Sequence, residues 1–143
     1  MALVTWKDTL SVGVDMIDNQ HRTLIELLNQ LDERVRAGGA PMVLSGALDR
    51  LIWHTAMHFA DEEALMKSNG YPEAAGHVAE HYGLVKAAIN LQKRLAISPG
   101  DLSEGDMIFM RDWLQQHLQG SDRRLGEFLQ ARGVIVVAEP ALA

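Results

Sequence analysis

The sequence predicts an all-α protein: an up-down-up-down four-helix bundle with an N-terminal arm, a short C-terminal helix and a tail. Three observations lead there. Four segments place apolar residues at helical spacing among strong helix formers. Between them stand the turn signals Gly38-Gly39-Ala40-Pro41, Asn69-Gly70-Tyr71-Pro72 and Ser98-Pro99-Gly100-Asp101. Within them, ligand-type side chains recur one helical turn apart, at His58/Glu62 and again at His77/His81.

Residues 1–17 read as an irregular arm, because Gly13 and the surrounding Asp residues oppose a helix. Trp6 is its expected anchor on the body. The first helix is expected over about 18–37, capped by Asp18 or Asn19. Leu24, Ile25, Leu27, Leu28, Leu31 and Val35 form its apolar stripe, with His21 on the same side. A second helix, about 41–68, carries Leu44, Leu48, Leu51, Ile52, Thr55, Phe59, Leu65 and Met66 inward, and His54, His58 and Glu62 continue that side. The third, about 72–96, turns His77, His81, Leu84, Val85, Ala88 and Leu91 inward. Gly76 and Gly83 weaken it by about 1 kcal/mol each and leave space for a neighbouring backbone. The fourth, about 103–119, buries Met107, Ile108, Met110, Trp113, Leu114 and His117. Gly120-Ser121 interrupts it, a short helix follows over about 121–131, and residues 132–143 form a tail with an apolar run at Val134–Val137.

Length and composition bound what such a bundle does. A chain of 143 residues is one domain, 1–143, large enough for a single core. Its net charge of −6, with no basic run longer than Arg123-Arg124, argues against nucleic acid as a partner. No apolar run reaches the length of a membrane span, so membrane insertion is not expected. The sequence has no cysteine, which excludes disulfides, thiolate metal sites and cysteine nucleophiles. With no signal-peptide pattern at the N-terminus, a cytoplasmic location is expected.

The chemistry lies in the histidines. Of six, five fall into one pattern with two acids: His21, His58, Glu62, His77, His81, His117 and Asp122. Buried without a metal, so many polar groups would carry large desolvation costs. Five nitrogens and two bridging carboxylates supply roughly nine bonds, and a shared oxo or hydroxo group makes about eleven of the twelve that two six-coordinate ions require. One position stays open for a small molecule. Imidazole with carboxylate suits iron better than tetrahedral zinc. His77 and His81 can share one ion with His117, leaving His21 and His58 for the other, and the open position. His117 and Asp122 are five apart, about 140° around an ideal helix, so the helix must end or distort between them; Gly120 is placed to permit it. His54, one turn before His58, is a candidate to line the cavity or to touch a ligand from outside.

These residues resemble the hemerythrins, in particular the single-domain bacterial kind (bacteriohemerythrins). The likeness runs over roughly residues 4–131. It rests on His21, His58-x3-Glu62, His77-x3-His81 and His117-x4-Asp122, with Val14-Asp15-x-x-Asp18-x-Gln20-His21, His58-Phe59-x-x-Glu62-Glu63, Tyr71-Pro72 and Trp113-Leu114-x-x-His117 around them. The resemblance implies a non-haem di-iron centre, oxo- or hydroxo-bridged, that binds O2 reversibly. By it, His77, His81 and His117 hold one iron, His21 and His58 the other, and Glu62 and Asp122 bridge them, with O2 binding at the five-coordinate iron. Leu114 resembles a position that lines the O2 pocket. Where the family often has an aromatic residue, commonly tyrosine, this chain has His54.

The expected function is therefore O2 carriage, storage or delivery rather than catalysis, with O2 as ligand and an O2-consuming protein as recipient, the chain acting as a monomer. A sensor needs an output domain for which this length leaves no room. Di-iron oxidases and peroxidases are richer in carboxylates than five histidines and two acids. Iron storage or nitric oxide handling is the remaining alternative.

Overall fold

The computed structural model describes residues 2–98 and 100–134. The arm contains one short 3-10 turn, Asp8–Leu10. Four long helices follow: α1 (Asp15–Arg36), α2 (Pro41–Asn69), α3 (Ala74–Ile97) and α4 (Glu104–His117). A wide π-helical turn, Leu118–Asp122, joins α4 to α5 (Arg123–Ala131) without a break. No strand occurs among the described residues. The architecture is the all-α bundle that the apolar spacing predicts. No described helix is long and apolar enough to cross a membrane.

Local chemistry explains most boundaries. Pro41 opens α2 at its first position, where a missing N–H costs nothing, and Gly70 closes it in the left-handed region at φ 62°. Ser103 and Asp106 form a reciprocal capping box at the start of α4. The start of α1 differs from expectation. The helix begins three residues earlier than Asp18, at Asp15, after an extended Val14. Asp18 does not cap the helix; it is buried and turns back to the arm, accepting from the Val12 N–H at 2.8 Å and from Ser11 Oγ at 2.5 Å.

The arm is held by more than Trp6. Val4, Leu10, Val12 and Val14 are buried, and Asn29 clamps Val4 with two hydrogen bonds of 2.8 and 2.9 Å. Trp6 itself is half-buried, with the Arg22 guanidinium 4.4 Å over its ring. Gly126 of α5 lets the arm approach: a Cβ there would stand 2.1 Å from the Val12 carbonyl oxygen. Gly76 and Gly83, by contrast, face open space and admit no neighbouring backbone. Ile108 is exposed rather than buried, since the inward side of α4 runs through Met107 and His117. The tail beyond Val134 lies outside the described residues.

Two apolar clusters result. One gathers Leu24, Leu28 and Leu31 of α1, Leu44, Leu48 and Leu51 of α2, Leu91 and Leu95 of α3, and Met107 of α4. The other gathers Ile17, Met66, Tyr71, Leu125 and Leu129 with the arm residues Val12 and Val14. Along the chain, the candidate ligands fall between the residues of the two clusters, so a polar layer is sealed by apolar packing above and below.

Candidate metal centre

Each long helix delivers at least one ligand-type side chain to this layer: His21 from α1, His58 and Glu62 from α2, His77 and His81 from α3, His117 from α4. Asp122 arrives from the π turn. The four-residue spacings work as helix geometry dictates, since side chains one turn apart share a face. Asp122 reaches the same side because the helix widens. The extra residue in the turn takes up about 100° of rotation, leaving Asp122 about where a residue four after His117 would stand. Gly120 sits in that turn without a positive φ, so the distortion is a widened helix and not a break.

All seven residues are buried, with His21, Glu62 and Asp122 at 0% exposure. The structure brings them into two overlapping groups: Glu62, His77, His81, His117 and Asp122; and His21, His58, Glu62 and Asp122. Within each, the donor atoms lie within 4.8 Å of one another. The carboxylate oxygens divide between the groups. Glu62 Oε1 lies 3.3 Å from His77 Nε2 and 3.1 Å from His81 Nε2, while its Oε2 lies 3.1 Å from His58 Nε2 and 3.6 Å from His21 Nε2. Asp122 Oδ1 lies 2.9 Å from His77 Nε2 and 3.0 Å from His117 Nε2, while Oδ2 lies 2.8 Å from His21 Nε2.

Close as they are, these atoms do not hydrogen-bond to one another. The Nε2 atoms of all five histidines and all four carboxylate oxygens are buried without a hydrogen-bond partner. Buried polar groups normally find partners, and leaving one unpaired costs about 1–3 kcal/mol. Nine orphaned donor atoms of nitrogen and carboxylate type, converging in one layer, fit a metal site of N/O character. Two of the five outer ring nitrogens are held from behind. His58 Nδ1 faces Gln20 Oε1 at 2.5 Å, Gln20 Nε2 donates to Asp61 Oδ2 at 2.8 Å, and His117 Nδ1 faces Glu80 Oε2 at 2.8 Å. With Nδ1 donating, Nε2 presents its lone pair to the cluster, as a ligand must. Phe59 stacks on His81 at 3.7 Å and Trp113 on His117 at 4.6 Å, fixing both ring planes.

Charge is strongly shared across this layer. Burial alone lowers the pKa of His21 and His77, but the Asp122 and Glu62 carboxylates outweigh it and push both up to about 9. Burial raises the Glu62 carboxyl, yet His58, His21 and His77 hold it well below the usual range. Asp122 is likewise raised by burial and by Glu62 but pulled down by His117, His21 and His77, and ends lowered.

His54 is not part of this arrangement. At about 100° per residue, the buried positions Leu44, Leu48, Leu51, Phe59, Glu62 and Met66 all rotate to one side of His58, by about 20° to about 100°, whereas His54 rotates about 40° the other way. It ends half-buried with its ring edge against Trp53, 4.9 Å away, outside both donor groups. Gln20, Glu80 and Ser121, which support the donors, were not singled out by spacing. The available signal is chemical: each ligating imidazole needs an acceptor for its second nitrogen, and acceptors stand next to ligands at Gln20 and Glu80.

Leu114 lines an apolar cavity of about 60 Å³ that reaches the layer. Its walls include Leu24, Leu28, Leu48, Leu51, Phe59, Met110 and Trp113, and it meets the donor residues His21, His58, His117 and Asp122. Thr55, the only hydroxyl in the wall, donates to the Leu51 carbonyl at 2.7 Å.

Known proteins share the sequence pattern and the fold. Residues 12–129 match the family model described as the hemerythrin HHE cation binding domain. A bacteriohemerythrin of Methylococcus capsulatus is 34% identical over 132 residues, covering 92% of this chain and 100% of that protein. One from Stenotrophomonas maltophilia is 33% identical, covering 92% of this chain and 84% of that protein. The crystal structure of a wild-type hemerythrin superposes with a TM-score of 0.85 at 34% identity, over 90% of this chain and 98% of that one. Matched span, shared bundle and buried donor set agree: the chain belongs to the hemerythrin family and is a non-haem iron protein.

Proposed function

We propose that the chain binds O2 reversibly at a pair of iron ions and acts as a carrier or store, not as an enzyme. His77, His81 and His117 would hold one ion, His21 and His58 the other, with Glu62 and Asp122 spanning both. Support for two ions comes from the division of the carboxylate oxygens: one oxygen of each acid faces each histidine group. When bound, the iron pair supplies the electrons on which reversible O2 binding draws.

The observation that carries the O2 reading is the placement of the cavity. It touches both His21 and His58 but, of the other three histidines, only His117, so the space lies mainly on the side with fewer nitrogens. Leucine, isoleucine and phenylalanine walls exclude water and favour a small apolar gas. The cavity is far below the roughly 300–1,000 Å³ of pockets that take drug-sized ligands. Its one hydroxyl is already spent as a donor on the backbone, so no polar cluster orients an organic substrate. The two-carboxylate, five-histidine composition also favours binding over oxidation of substrates. A recipient would be a protein that consumes O2.

The test is an optical spectrum of the anaerobically reduced, iron-loaded protein before O2, after O2, and after the gas is removed. A charge-transfer band that appears and then disappears supports carriage. Irreversible oxidation, or turnover of an added reductant, would replace the carrier reading with an oxidase or peroxidase.

A further inference from the structure

The partners behind the histidines differ on the two sides of the cluster. Behind His117, the acceptor is a carboxylate: Nδ1 donates to Glu80 Oε2 at 2.8 Å, and Ser121 Oγ donates to the same oxygen at 2.5 Å. Behind His58, the acceptor is a neutral amide: Nδ1 donates to Gln20 Oε1 at 2.5 Å, and the amide N–H of Gln20 passes on to Asp61 Oδ2 at 2.8 Å. A full negative charge therefore sits directly on one imidazole and one residue further away from the other. Glu63 adds to the imbalance, its Oε2 lying 3.7 Å from His81 Nδ1, too far to bond but on the three-histidine side. The Nδ1 atoms of His21 and His77 are buried without a partner and do not offset it.

A hydrogen bond to a charged acceptor is about twice as strong as one between neutral groups, and such an acceptor makes the imidazole a stronger donor to its metal. A stronger donor favours the higher oxidation state. We infer that Glu80 and Gln20 are positioning residues that set the two metal positions to different reduction potentials, the Glu80 side lower. This rests on the two-ion reading above.

The test uses the full, iron-loaded chain in an anaerobic optical redox titration, with the iron-to-chain ratio measured alongside. Glu80→Gln keeps the shape and removes the charge. The double variant Gln20→Glu with Asp61→Asn moves the existing charge one residue inward without changing the total. Glu80→Gln is expected to raise a midpoint and the double variant to lower one, each by up to a tenfold change in the ferric/ferrous equilibrium, about 59 mV for a one-electron step. Midpoints unchanged at the parent's iron load, or both moving the same way, would overturn the inference. If Glu80→Gln does not retain iron, Ser121→Ala replaces it: freeing the Glu80 oxygen from a competing donor should lower the midpoint, and no change there also overturns the inference. A parent chain that takes up one iron or none overturns the two-ion reading instead, and the two failures are told apart by the iron count.

Discussion

A residue one helical turn from a ligand need not face the ligand's site. His54 stands on the edge of the buried side of α2 and meets Trp53. Replacing it with tyrosine, His54→Tyr, is therefore expected to leave iron content and the optical spectrum of the oxygenated protein unchanged; a shifted band would show that the side chain reaches the centre. Leu114 is the opposite case, a side chain with no polar atom in the wall of the cavity. Leu114→Ala removes about three carbons of that wall and admits water, so the oxygenated state should oxidise faster; an unchanged autoxidation rate would take Leu114 out of the O2 pocket. The seven donors were legible in the sequence because ligand chemistry restricts residue type and helix geometry restricts spacing. Gln20 and Glu80 were less so. Each stands one position from a ligand, about 100° away around the helix, and acts on a histidine of a different helix. Only the packing of α1 on α2 and of α3 on α4 shows which histidine each one holds.

At the level of elements, the long helices followed from apolar period and turn residues, but their junctions did not. Asp18 reads as a helix cap and instead ties the arm to α1. At Gly120 the spacing requires the helix to end or distort, and it distorts: a widened turn keeps α4 and α5 continuous while presenting Asp122. Gly126 carries no local signal at all. Its importance comes from Val12, more than a hundred positions away, whose carbonyl a Cβ would strike. Because the obstacle is backbone, Gly126→Ala should cost about 1–3 kcal/mol. Thermal unfolding would then fall by roughly 2–4 °C for each kcal/mol. An unchanged midpoint would mean that the arm yields freely.

Over the whole molecule, the polar layer couples stability to pH and to metal. In chelated, metal-free protein, His21 and His77 have pKa values raised from 6.5 to about 9 by the neighbouring carboxylates. A raised folded pKa means that the stabilisation is complete below 6.5 and is lost as pH climbs through about 9. Glu62 and Asp122 are lowered, so their share is present above the ordinary carboxyl values of 4.5 and 3.8 and is lost on acidification. The metal-free fold should thus be most stable between about 4.5 and 6.5 and should weaken towards pH 9, seen as a falling unfolding midpoint. Over the same alkaline interval the imidazoles shed protons that compete with metal, so iron affinity should rise as metal-free stability falls. A metal-free protein equally stable at pH 6 and pH 9 would show that the carboxylates do not hold protons on these rings.

The claim beneath the others is that Glu62 and Asp122 each span two ions. Anomalous diffraction at the iron edge, from crystals of the iron-loaded chain, addresses it directly. Two peaks are expected, one beside His77, His81 and His117 and one beside His21 and His58, with an oxygen of each acid on both. A single peak, or two peaks that do not share the carboxylates, would contradict it.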